Sequence, residues 1–251
     1  MRAGVPTITV LGVPVAALTM RQAVTEVSRL LAEPGPQTLV YVNAHSVNMA
    51  RSHVRYRACL ADADLVLNDG SGLALAARVR GRRFPANLNG TDFTPEVLRL
   101  AARRGLSVYL LGGREGVAAR AADRLCQMVP GLRVVGHHHG YVADHQGHEV
   151  AEQIRQTGAD LVLVAMGNPR QELWLAEHLP ATGAALGVAV GAFLDFAAER
   201  VPRAPKWMRD AGIEWLYRLS REPGRLFARY VVGNPLFVAR VLFDRVLATS
   251  R

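Results

Sequence analysis

Seven short apolar runs recur along the chain: TITVLG, QTLVYVN, ADLVLND, LSVYLLGG, LRVVGHH, ADLVLVAMG and AALGVAVGA. Between most of them lie helix-length stretches such as MRQAVTEVSRLLAE and EGVAARAADRLCQMV, whose apolar residues fall three and four apart. Strands that are continuously apolar and separated by amphipathic helices predict an α/β fold. Its largely parallel, Rossmann-like sheet is covered by helices on both faces. Near the N-terminus, Pro6, Gly12 and Pro14 interrupt the apolar run. The expectation there is a strand, a turn and a helix opened by a Thr19–Gln22 capping box.

The pattern changes near residue 200. The strands stop, and VPRAPKWMRDAGIEWLYRLSREPGRLFARYVVGNPLFVARVLFDRV reads as helical, basic and aromatic, with Pro202, Pro205, Pro223 and Pro235 breaking it into short helices. This predicts an α/β domain over residues 1–198 and a helical appendage over 199–251. Charge sharpens the division. Residues 199–251 carry 11 Lys and Arg against 5 Asp and Glu, whereas residues 1–198 carry 19 against 16. A basic tail with interleaved Trp215, Tyr217, Phe227 and Tyr230 suggests an anionic partner, a phosphate-bearing membrane surface or a nucleic acid. No nucleic-acid motif accompanies it, which disfavours the second.

Composition narrows the class further. A chain of 251 residues, half of them hydrophobic and one fifth charged, can bury a substantial core and is not disordered. No stretch reaches the roughly 18 apolar residues a spanning helix needs, so no membrane crossing is expected. Cys59 and Cys126, without CxxC spacing, point to a reduced cytoplasmic compartment and no structural zinc. His137, His138 and His139 follow one another in an extended segment, where neighbouring side chains face opposite ways, so no metal site is expected from them.

Four turns carry candidate chemistry. In LVLNDGSG a strand ends on Asp69, followed by Gly70, Ser71 and Gly72. Either Asp69 caps a helix, or the turn presents a working carboxylate at the carboxyl end of a strand, where open α/β sheets keep their sites. In NLNGTDF, Asn89, Gly90, Thr91 and Asp92 precede a helix, with Thr91 or Asp92 as its cap or the group as a substrate contact. In LLGGREG, Gly112 and Gly113 form a strand-to-helix turn that lets backbone amides approach a phosphate, or is simply tight. Its GGxxG spacing lacks the full dinucleotide fingerprint, and no acid ends the next strand, which disfavours a nicotinamide dehydrogenase. In MGNPRQELW, Gly167 and Asn168 turn the chain, Pro169 suits the first helical position, and Gln171 and Glu172 fall in the first helical turn.

Together these segments resemble the WecG/TagA/CpsF family of bacterial glycosyltransferases. The resemblance runs in order through VNAHSVN, ADLVLNDGSG, NGTD, LLGGREGVA, GADLVLVAMGNPRQELW, VGAFLDFAAERVPRAPKWM and GIEWLYRLSREPGRLFARYVVGNPLF. It implies an inverting transfer of an N-acetylhexosamine-type sugar, ManNAc or its uronic acid, from a UDP-sugar donor. The implied acceptor is a polyprenyl-diphosphate-linked sugar at the inner face of the cytoplasmic membrane, in teichoic acid, capsule or exopolysaccharide synthesis. By motif position Asp69 corresponds to the general base, Asn43 and Gln171 to pocket residues, and Arg218 and Arg225 to appendage arginines that help bind the diphosphate. The family also suggests homo-oligomers whose assembly competes with membrane docking. Tyr41 departs from the Thr found in several relatives. Arginines in place of a metal, and no cofactor, suit this reading. Its rivals are a nucleotide-sugar epimerase, which needs no lipid, and a basic nucleic-acid-binding protein.

Overall fold

The computed structural model describes residues 4–200 and 203–249. In chain order the elements are β1 (Thr7–Val10), β2 (Val13–Ala16), α1 (Met20–Leu30), β3 (Gln37–Val42), α2 (Ala44–Ser52), α3 (Val54–Asp62) and β4 (Leu65–Asn68). There follow α4 (Ser71–Val79), α5 (Gly90–Arg103), β5 (Ser107–Gly112), α6 (Val117–Met128), β6 (Arg133–His138), α7 (Gly147–Thr157) and β7 (Leu161–Ala165). The chain continues through α8 (Arg170–Thr182), β8 (Leu186–Ala189), α9 (Phe193–Ala197), α10 (Lys206–Asp210), α11 (Glu214–Arg221), α12 (Pro223–Phe227) and α13 (Gly233–Thr249).

Six strands form one parallel sheet in the order β4-β3-β8-β7-β5-β6. Side chains of successive strand residues point to opposite faces, and each face has its own core. Leu39, Leu65, Leu110, Leu163 and Val188 pack beneath α1, α5, α6 and α9. Val40, Val66, Leu111, Val164 and Ala189 pack beneath α2, α3, α4, α7 and α8, together with Phe237 and Val241 of α13. The parallel α/β sheet covered on both faces is therefore as the sequence pattern predicts. At Gly187 of β8 a Cβ would lie 2.5 Å from Leu175 and 2.8 Å from Leu179, so α8 sits directly on the strand there. Gly187→Val should cost about 1–3 kcal/mol through overpacking, read as a lower thermal midpoint.

Three local expectations need correction. Residues 13–16 are not a turn: they form β2, which pairs antiparallel with β1 and sets Pro14 opposite Thr9. Proline is tolerated because this two-stranded hairpin leaves a free edge that needs no donor. LRVVGHH is not a buried strand, since β6 is the sheet's edge, pairs only with β5 and is largely half-exposed. Pro235 does not break α13 but lies in its first turn, where its missing N–H costs nothing. The Thr19–Gln22 capping box opens α1 as expected, with Thr19 N donating to Gln22 Oε1 at 2.9 Å.

The C-terminal helices fold back on the body. Phe237 is buried between α2 and α4, and Arg240 Nη1 donates to Asn48 Oδ1 at 2.7 Å. Asn48 Nδ2 donates in turn to the Gly233 carbonyl at 2.8 Å, and Asp244 pairs with Arg80.

Candidate active site

All six parallel strands point their carboxyl ends the same way; three of the four turns singled out above follow β4, β5 and β7 along that edge, and NLNGTDF joins α4 to α5. Asp69 follows β4 and is half-buried; its backbone N–H donates to the Val42 carbonyl at 2.8 Å. It is not a helix cap, because Gly70, with φ of +90°, occupies the cap position of α4. Asn43 follows β3 and does two things at once. Its Oδ1 caps α2 by accepting from the His45 and Ser46 amides at 3.1 and 3.2 Å, while its Nδ2 donates to Asp69 Oδ2 at 3.2 Å. The carboxylate is thereby oriented by a side chain that the helix itself holds still.

Asn89, rather than Thr91 or Asp92, caps α5. Its Oδ1 accepts from the Asp92 amide at 3.0 Å and its Nδ2 donates to Asp92 Oδ2 at 2.8 Å. Arg203 Nη1 holds the other Asp92 oxygen at 2.8 Å. Gly90 accommodates Tyr41, whose ring would lie 3.1 Å from a Cβ at that position. The Tyr41 hydroxyl is 3.1 Å from Thr94 Oγ1, and burial raises its pKa, as does the nearby charge of Asp69. This phenol is a neutral structural group beneath the site. Glu214, which the sequence reading passed over, faces the same region from α11. Burial raises its pKa, Asp69 and Asp92 push the same way, and Arg203 and Arg218 oppose them.

Beyond β8 lies a cleft of about 240 Å³ between the strand ends and α11. Gly113, Gly167 and Gly191 line it, with Tyr141, Asp195 and Phe196, and Arg114, Arg170, Arg200 and Arg218 supply positive charge. Arg218 stands 5.6 Å from the centroid of the Phe196 ring. Gly112 permits a close turn: a Cβ there would lie 2.5 Å from that of Ala165. Arg114, Arg170, Arg200, Tyr141 and Gly191 were missed in the sequence; the GGREG and VGA turns that hold Arg114 and Gly191 were the available signals. Arg225 lies on α12, but its side chain falls outside the described residues.

Gln171 and Glu172 are buried, at 2% and 1% exposure. Gln171 Oε1 accepts from the Gly167 and Gly191 amides at 3.1 and 3.0 Å, tying the turn after β7 to the turn after β8. Its Nε2 donates to Glu172 Oε1 at 2.9 Å, and Asn168 Nδ2 donates to the same oxygen. Burial lifts the Glu172 carboxyl to about 7. Pro169 takes the cap position of α8 rather than the first helical one. Asp64 accepts from the Thr38 amide at 2.9 Å at the opposite end of the sheet and belongs to the scaffold.

A parallel α/β sheet with a held carboxylate and a basic cleft along its carboxyl edge has the form of a group-transfer enzyme. The chain belongs to the WecG/TagA/CpsF family of glycosyl transferases, whose model matches residues 8–251. It is a glycosyltransferase. It is 31% identical over 193 residues to the N-acetylglucosaminyldiphosphoundecaprenol N-acetyl-beta-D-mannosaminyltransferase of Bacillus spizizenii, covering 77% of this chain and 74% of that protein. A solved structure described as a "putative lyase/mutase" from Burkholderia cenocepacia aligns over 81% of this chain and 88% of its own, at 16% identity. Its TM-score of 0.27 is too low to bear on fold or chemistry.

Proposed function

We propose that the protein transfers N-acetylmannosamine from a UDP donor to a polyprenyl-diphosphate-linked N-acetylglucosamine, with inversion at the anomeric carbon. The observation that carries this is Asp69, a carboxylate fixed by Asn43 at the strand edge that also bears the arginine-lined cleft; the named Bacillus relative supplies the sugars. The acceptor hydroxyl oxygen attacks the anomeric carbon, and Asp69 takes its proton. The bond from that carbon to the leaving phosphate oxygen breaks, and its electron pair departs with UDP from the opposite face. Arg114, Arg170 and Arg218 stabilise the charge that develops on the diphosphate, which makes a metal dispensable. Asn89, Gly90, Thr91 and Asp92, with Glu214, form the acceptor side of Asp69 in this reading. Gly112, Gly113 and Asn168 shape the donor side.

The C-terminal helices bring the enzyme to its lipid substrate. Among the described residues no helix is long and apolar enough to cross a membrane. Yet Trp207, Phe227, Val232 and Phe243 are all more than half exposed on these helices. Aromatic side chains beside a basic segment suit peripheral attachment to an anionic surface, which supports the reading that the enzyme works at the inner face of the cytoplasmic membrane. UDP release measured over a panel of UDP-sugars tests the whole reading. Release from UDP-N-acetylmannosamine is expected only when a polyprenyl-diphosphate-N-acetylglucosamine acceptor is supplied in vesicles. Release that needs no acceptor lipid, or none from any donor, overturns it.

A further inference from the structure

One buried polar network runs beneath both halves of the site. It starts at Asp69, whose Oδ2 accepts from Asn43 Nδ2, and Asn43 Oδ1 accepts from Ser46 Oγ at 3.2 Å. Ser46 neighbours the Tyr56 hydroxyl and acts on its charge, and that hydroxyl accepts from Asn168 Nδ2 at 3.2 Å. Asn168 Nδ2 also donates to Glu172 Oε1, and Gln171 Nε2 donates to the same oxygen. That double donation decides which way each amide faces. Because Glu172 takes the Gln171 NH2 group, the Gln171 oxygen is turned onto the Gly167 and Gly191 amides. These two glycines form the floor of the arginine-lined cleft. The second Glu172 oxygen is buried without a partner, so the carboxyl is a poor place for a full negative charge.

We propose that Glu172 is a positioning residue that, as a neutral carboxylic acid, locks the turns after β7 and β8 into the cleft floor. This rests on the reading of that cleft as the donor site. Ionisation of Glu172 opposes the locked arrangement, because water solvates the charge better than the buried site does. A carboxyl that titrates near 7 when locked and near its ordinary value when opened binds the proton more tightly in the locked state. Locking is then favoured at low pH and loosens as pH rises toward 7. Burial outweighs the hydrogen bonds from Gln171 and Asn168, which favour the ionised form. Tyr56 and Cys59 on α3 both feel its charge, and Asp62 and Asp64 line the same cleft between α3 and α8. The Arg229 charge acts on Tyr56 and on His45.

Hydrogen exchange at the Gly167 and Gly191 amides, corrected for intrinsic rates, provides the test, together with calorimetric binding of UDP. In the wild-type protein, protection at both amides should fall about tenfold between pH 5 and pH 6.5. Glu172→Gln keeps an acceptor oxygen but does not titrate, so its protection should be flat over the same range. Its UDP affinity should gain on the wild type as pH rises. Identical pH profiles for exchange in the two proteins overturn the proposal. So does a folded Glu172→Leu protein that keeps wild-type protection at Gly167 and Gly191. Should UDP bind neither protein while the exchange profiles differ as expected, the positioning role of Glu172 stands and the donor reading of the cleft falls.

Discussion

An Asp69→Asn enzyme is expected to transfer sugar about 10²–10⁴-fold more slowly than the wild type while folding normally. Asparagine has nearly the same shape and keeps an oxygen able to accept from Asn43 Nδ2, so the turn after β4 should hold its form. What is lost is the basicity needed to take the proton from the attacking hydroxyl. The fall should appear in kcat, with the KM for donor little changed, because the proposed mechanism sets Asp69 against the acceptor oxygen and not the nucleotide. Steady-state UDP release and a thermal melt on the same preparation check this. A normally folded Asp69→Asn protein that retains more than a tenth of the wild-type rate removes Asp69 from the role of base.

Phe237→Ala should be the most damaging single change in the C-terminal helices. The ring is 1% exposed, lies among the core residues beneath α2 and α4, and helps seat α13 on the body. Truncating a buried phenylalanine costs about 3–5 kcal/mol through lost burial and the cavity left behind. In a chain of this size that corresponds to a thermal midpoint lower by roughly 10 °C. Phe243 on the same helix is 66% exposed, and its replacement by alanine should change stability by less than about 0.5 kcal/mol while weakening attachment to anionic vesicles. Equal melting temperatures for the Phe237→Ala and wild-type proteins would show that α13 is not seated as described.

The hydrophobic pattern made the parallel sheet legible because a strand buried on both faces has to be apolar throughout. The hairpin β1–β2 escaped because Pro14 reads as a breaker unless the free edge it occupies is known. At the site, positions next to strand ends could be read, since Asp69 and the glycines at 112 and 113 stand where the run of apolar residues stops, whereas Asn43 was pointed to only by the family motif. The partners of those residues could not. Nothing local in EWLYR says that Glu214 of α11 lies across from Asp69 and Asp92, which are more than 100 positions away. Gln171 shows the same limit. Its place in the first turn of α8 was plain, but its engagement with the Gly167 and Gly191 amides depends on how two separate turns meet in space.

Asn43 has a chemical consequence of its own. As a cap for α2, serine, aspartate or asparagine would serve about equally well. Only an amide, however, can present an oxygen to the helix and an N–H to Asp69 in the same instant. Aspartate would set a second negative charge beside the first and drive its proton affinity upward by repulsion. Serine would be too short to bridge the two. A residue chosen by the helix alone would be free to drift among three identities; chosen by helix and carboxylate together, it is left with one.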